Sequence, residues 1–289
     1  MFENIGVLAA FGAMLCWGIG DFYIQKTTRK IGNVEALFFI GLIGSIILLP
    51  FVFNELPSIF SSYNIILALV FLGFTTLVVS IMNFQALKEG KLAIVEPILE
   101  FELPVTMVFS IILLQEHVTS IQLVLSAVLF SGILLLSFSK FNLKAKHLLE
   151  KGVLLAIVTA IGMGFLNYLT GSVVRSTSPL LAIWSAWTVF AIFCFAYILY
   201  KKGFTKMIKD AAKSRKIILA ESVFDTAAWA LYAIAMVTIP VSMATAISES
   251  YPAIAVLLGI LVNREIVKTH QVIGMTIALI ASIVLAMLI

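Results

Sequence analysis

The chain has 289 residues, of which 62% are hydrophobic and 12% charged, with a mean hydropathy of +1.12 and a formal charge of +4. So little polar surface excludes a water-soluble domain, and the absence of alternating strands of about ten residues excludes a membrane barrel. What remains is an all-α integral membrane protein, whose small basic excess reflects membrane topology and needs no nucleic-acid partner.

Crossing about 30 Å of hydrocarbon takes roughly 20 apolar residues. In chain order the apolar segments predict ten transmembrane helices, at 5–24, 33–53, 64–86, 92–114, 119–138, 152–172, 180–200, 217–237, 240–262 and 268–289. The first is not a cleavable signal, because Glu3 rather than a basic stretch precedes it and it ends at Asp21 rather than at a small-residue cleavage site. Gly18, Gly20, Pro97, Pro104, Gly162, Gly164 and Pro252 lie within spans. In a bundle, neighbouring helices satisfy the backbone groups such residues free. Cys16 and Cys194 also lie within spans and fit neither metal-ligand spacing nor a disulfide framework, so they read as packing residues.

Lys and Arg occupy alternate connections, at 25–32, 88–91, 139–151, 201–216 and 263–270, leaving Arg175 on the other side. Basic connections stay in the cytoplasm, which predicts a multi-pass cell-membrane protein with both termini outside the cytoplasm. The run Lys201 to Lys216 reads as a topology-setting loop, with binding to anionic lipid headgroups as the alternative.

The two halves resemble each other, dividing the chain into repeats at 1–145 and 146–289. At an offset of 146, Gly6 to Phe22 overlies Gly152 to Tyr168, with Gly18 on Gly164, Asp21 on Asn167 and Arg29 on Arg175. At an offset of 148, Glu102-Leu-Pro104 overlies Ser250-Tyr-Pro252, each followed by an apolar run and an acidic residue, Glu116 or Glu265. Five spans per half is an odd number, so the second copy enters from the opposite face. Inverted repeats of this kind place a solute site near the midplane and work by rocking one bundle against the other.

On these residues the chain resembles the drug/metabolite transporter superfamily, in particular its EamA-type ten-helix members. The resemblance covers essentially the whole chain. It is carried by Trp17-Gly-Ile-Gly-Asp-Phe22, similar to that family's Trp-Gly…Phe pattern, and by the two copies Pro104 to Glu116 and Pro252 to Glu265. It implies a cofactor-free carrier of small organic solutes, often an exporter, with no single substrate indicated and either a monomer or a homodimer.

Besides Glu35 at the edge of the second span, seven of the fifteen acidic residues lie inside spans: Asp21, Glu96, Glu100, Glu102, Glu221, Asp225 and Glu249. Apart from Lys268 at the edge of the last span, no Lys or Arg lies there to pair with them. An intramembrane charge costs about 3 kcal/mol or more, so these groups hold protons, hydrogen-bond to other helices, or meet a cation supplied by a solute. Depth and repeat position make Glu100 and Glu249 the leading pair, shared between substrate and proton, with Asp225 and Glu96 in support. On an ideal helix Glu102 points about 200° away from Glu100, which sets it apart from the same ligand. Asp21 and Glu221, nearer the cytoplasmic ends, are the weakest candidates. A cationic group binds well over a ring face, so Trp17, Tyr168, Trp184, Trp187, Trp229 and Tyr251 could complete the site, with core packing as the alternative for each. Trp229 shares a helix face with Asp225. Asn83, Gln85 and Asn167 could orient a carboxylate.

The expected function is a secondary carrier that exports or exchanges a small amino-bearing or cationic metabolite by alternating access, with coupling to protons. A facilitator of neutral or anionic metabolites is the alternative. Gly18-Ile-Gly-Asp21 also matches the Gly-x-Gly-Asp signature of intramembrane aspartyl proteases, with Asp225 as an imaginable partner, but the order of aspartates is reversed and no Pro-Ala-Leu occurs. No channel filter or nucleotide-binding loop is visible, and His117, His147 and His270 are too scattered for a metal site.

Overall fold

The computed structural model describes residues 2–89, 92–137, 151–263 and 267–289. Residues 138–150, with His147, and Glu265 lie outside the described residues, as do the side chains of Asp21, Phe22 and Arg29. The helices are α1 (Phe2–Ile31), α2 (Asn33–Val52), α3 (Tyr63–Glu89), α4 (Leu92–Leu99), α5 (Glu102–Leu113), α6 (Ser120–Ser137), α7 (Lys151–Ser176), α8 (Pro179–Tyr200), α9 (Phe204–Thr238), α10 (Val241–Ser248), α11 (Tyr251–Asn263) and α12 (Thr269–Ala286). A 3-10 segment, Phe53–Ser61, joins α2 to α3, and no strand occurs among the described residues.

Eight described segments are long and apolar enough to cross a membrane, and α1 adds a shorter apolar stretch, Asn4–Gly20. Two expected spans differ from continuous helices. The fourth is split into α4 and α5 at Glu100–Phe101, and the ninth into α10 and α11 at Glu249–Ser250. The cause is local. Pro104 and Pro252 have no N–H to donate four residues back, and their rings crowd the carbonyls of Glu100 and Ser248. Both breaks are bridged by tightened turns instead: Phe101 N donates to Ile98 O at 3.1 Å and Leu103 N to Glu100 O at 3.2 Å, matched by Ser250 N to Ile247 O at 3.2 Å and Ala253 N to Ser250 O at 3.0 Å.

The expected loop at 201–216 is corrected as well, being helical from Phe204 onward. Its Lys, Ala, Met and Ile residues are good helix formers. Met207, Ser214 and Ile218 make a buried stripe while the basic side chains stay exposed.

Large apolar side chains cover the outside, including Leu8, Ile46, Phe51, Ile112, Leu123 and Ile192. In water this would be an aggregating surface, whereas lipid is an equivalent apolar neighbour for it. Inside, the halves interlock. α1 packs along α9 as α7 packs along α3, α1 meets α11 as α7 meets α5, and the pairs α2–α8 and α6–α12 cross each other directly. Close approach rests on paired glycines. A Cβ on Gly18 would lie 2.8 Å from Ile254 Cβ on α11, and one on the repeat-related Gly164 would lie 2.8 Å from Val105 Cβ on α5. Real side chains do not tolerate either distance, so these positions let α1 and α7 lie against the broken helices of the opposite repeat.

Candidate solute site at the two helix breaks

The two breaks bring carboxyl groups together in the interior. Glu102, the first residue of α5, hydrogen-bonds Glu249 at the end of α10. The backbone turns at Glu100–Phe101 before Glu102 begins a new helix, so Glu102 meets Glu249 from the start of α5. A hydrogen bond between two carboxyls requires a proton on one of them. Asn167 on α7 steadies the pair, its Nδ2 donating to Glu102 Oε1 at 3.4 Å and to Thr106 Oγ1 at 3.1 Å. Glu249 is buried and Glu102 half-buried.

Aromatic rings gather next to the second break. Trp17 lies edge-on to Trp229 at 5.4 Å and to Tyr232 at 5.2 Å, with Tyr251 at 6.2 Å. Tyr251 follows Glu249 by two residues. Tyr232, fully buried, bonds to Thr245 Oγ1 at 2.5 Å, and Thr245 donates to Val241 O at 2.8 Å, so the tyrosine is the donor. That contact fixes α10 one turn before Glu249.

The other expected residues are distributed around this centre. Glu100 sits in the turn at the first break and Glu96 one turn earlier on α4. Asp225 is buried on α9 one turn before Trp229. Glu221 is more enclosed than its position near the helix end suggested: it is 1% exposed, with Thr27 of α1 beside its carboxyl group. Tyr168 packs in a separate group with Phe109 and Phe165, at 6.2 and 5.7 Å. The indoles of Trp184 and Trp187 donate to Ser45 O and Thr226 Oγ1, both at 3.1 Å, which are helix-packing contacts. Asn83 Oδ1 is buried without a hydrogen bond among the described residues. Gln85 bonds to Glu89. No group of three metal-ligating side chains occurs among the described residues.

Sequence reasoning did not single out Thr106, Tyr232 or Thr245. Spacing carried a faint signal for two of them, since Thr106 lies four residues after Glu102 and Tyr232 three after Trp229 on one helix face.

A helical membrane bundle with two broken helices meeting at buried carboxyls is the architecture of a carrier, in which irregular backbone is tolerated where it lines a cavity. The stretches 4–138 and 150–287 match the EamA-like transporter family, and the chain belongs to that family. It is thus a multi-pass membrane transporter of the drug/metabolite type. A solved crystal structure described only as that of a protein matches with a TM-score of 0.79 over 98% of this chain and 96% of its own, at 13% identity, which speaks for the fold alone. No curated protein matches the sequence.

Proposed function

We propose that the chain crosses the membrane ten times as two inverted five-helix repeats, 1–145 and 146–289, and carries a small amino-bearing or cationic metabolite by alternating access, exchanging it for a proton. The Glu102–Glu249 hydrogen bond is the observation that supports this reading. Its shared proton leaves the pair with one negative charge. An ammonium group entering the pair meets two carboxylates once that proton departs, so solute and proton compete for one site and cross in opposite directions. The rings of Trp17, Trp229 and Tyr251 supply faces for the cation beside the pair. Glu100, Glu96 and Asp225 keep the surroundings negative, Asn167 orients Glu102, and Asn83 and Tyr168 belong to the wider lining. The cell membrane, with both termini outside the cytoplasm, is the location this reading carries. Catalysis has no role in it.

The test is uptake by proteoliposomes across amines, amino acids, polyamines and organic anions, with and without an imposed pH gradient. Saturable amine uptake into vesicles acidic inside, lost when the gradient is collapsed, is expected. Uptake indifferent to the gradient, or confined to neutral or anionic solutes, overturns the exchange.

A further inference from the structure

Glu116, the acidic residue that closes the first Pro-to-acid motif, has no part in the solute site. Its side chain is 6% exposed and engages three partners from the opposite repeat. One carboxylate oxygen accepts from Val241 N at 2.6 Å and from Arg175 Nη2 at 2.9 Å. The other accepts from Ser242 N at 3.0 Å and Ser242 Oγ at 2.8 Å. Arg175 also donates from Nε to Met236 O at 3.1 Å, tying in the last turn of α9.

Local sequence explains why the partner comes from so far away. α8 begins at Ser178, whose own Oγ accepts from Leu181 N at 3.2 Å. α10 begins after Ile239-Pro240, which offers no side-chain acceptor, so its first N–H groups are left for Glu116. The result is asymmetric. All eight residues of α10 are buried, whereas on its repeat mate α4 the residues Glu96, Ile98 and Leu99 are part-exposed. The start of α10, on the Arg175 side, is thus the more enclosed of the two half-helices among the described residues.

We propose that Glu116 is a positioning residue that latches the transporter: it holds the half-helix leading to Glu249, and with Arg175 it closes the pathway on the face opposite the basic connections until it lets go. This rests on the alternating-access reading above. The carboxylate bridges the two repeats, so the repeats cannot part on that face while its bonds hold. Charge-assisted bonds of this kind are roughly twice as strong as neutral ones, which biases the molecule towards the state closed on that face.

Thiol labelling tests the latch without any solute. In a Cys16→Ala, Cys194→Ala background, Ser110→Cys places a reporter at a buried position on α5 whose carbonyl accepts from Glu116 N at 3.2 Å. Ile98→Cys places a second, on α4. Adding Glu116→Gln should speed labelling of the first by a membrane-impermeant reagent on the Arg175 face by about tenfold or more, as loss of charge-assisted bonds shifts an opening equilibrium. Labelling of the second from the basic face should fall, and Glu116→Asp should restore part of both rates. Unchanged rates, or faster labelling from both faces as a merely structural role gives, overturn the latch. Where Glu116→Gln fails to yield a monodisperse protein, Arg175→Gln keeps the two backbone bonds and should give a smaller one-sided increase, whose absence is equally decisive. A protein that labels as expected yet moves no amine leaves the latch standing and removes only the solute reading.

Discussion

At the scale of single residues, the carboxyl pair makes the sharpest claim. Glu249→Gln or Glu102→Gln keeps a hydrogen-bonding side chain of the same shape but removes the exchangeable charge. Gradient-driven amine uptake should then fall by at least about tenfold, equivalent to about 1.4 kcal/mol, and what remains should lose its dependence on pH, while the purified protein melts near the parent temperature. Full uptake with an unchanged pH profile in both variants would remove the pair from the mechanism. Asp225→Asn is expected to cost less, being one turn from the nearest cluster ring and outside the pair. Of this site, the sequence made Glu249 and the surrounding negative charge visible, because an acid inside an apolar span is conspicuous. Its pairing with Glu102 was hidden, since it depends on the helix break at Glu100–Phe101 and on where α5 meets α10. Asn167 was visible only as one of three amides.

At the scale of elements, the breaks and the glycine crossings answer to different substitutions. Pro104→Ala or Pro252→Ala restores an N–H donor and removes the ring that interrupts each helix. The expected outcome is a protein at least as heat-stable as the parent with transport strongly reduced, as measured by melting in detergent beside uptake. Gly18→Val or Gly164→Val forces apart helices whose backbones nearly touch. Overpacking of this kind costs about 1–3 kcal/mol, so melting should drop in both, and parent-like melting in either would show the crossing to be looser than its distances imply. Hydropathy alone pointed to the eight segments that are long and apolar enough to cross a membrane, because lipid imposes length and apolarity on each. It misplaced the start of α9, since a lysine-rich stretch has the composition of both a connection and a helix extending beyond the bilayer. The split helices were foreshadowed by Pro97, Pro104 and Pro252, yet Pro97 lies within intact α4, so proline by itself did not tell a break from a tolerated kink.

For the whole molecule, interlocking predicts how the chain behaves when divided. Cutting between the two family-matched stretches and expressing 1–138 together with 150–289 should give a complex that co-purifies and takes up solute, while either half alone should be degraded or aggregate in detergent. A stable, monodisperse half would contradict the packing of α1 on α9 and of α3 on α7. The same arrangement sets a schedule for synthesis. When the first family-matched stretch has entered the bilayer, α1, α2 and α6 await partners that the ribosome has not yet made, and at about 5–20 residues per second the remaining half takes on the order of ten seconds. For that interval the nascent chain holds its glycine-lined faces and intramembrane acids against lipid or an insertion machinery. Premature termination in the second half therefore yields an inserted but unassembled product, which cellular quality control meets as an orphan subunit.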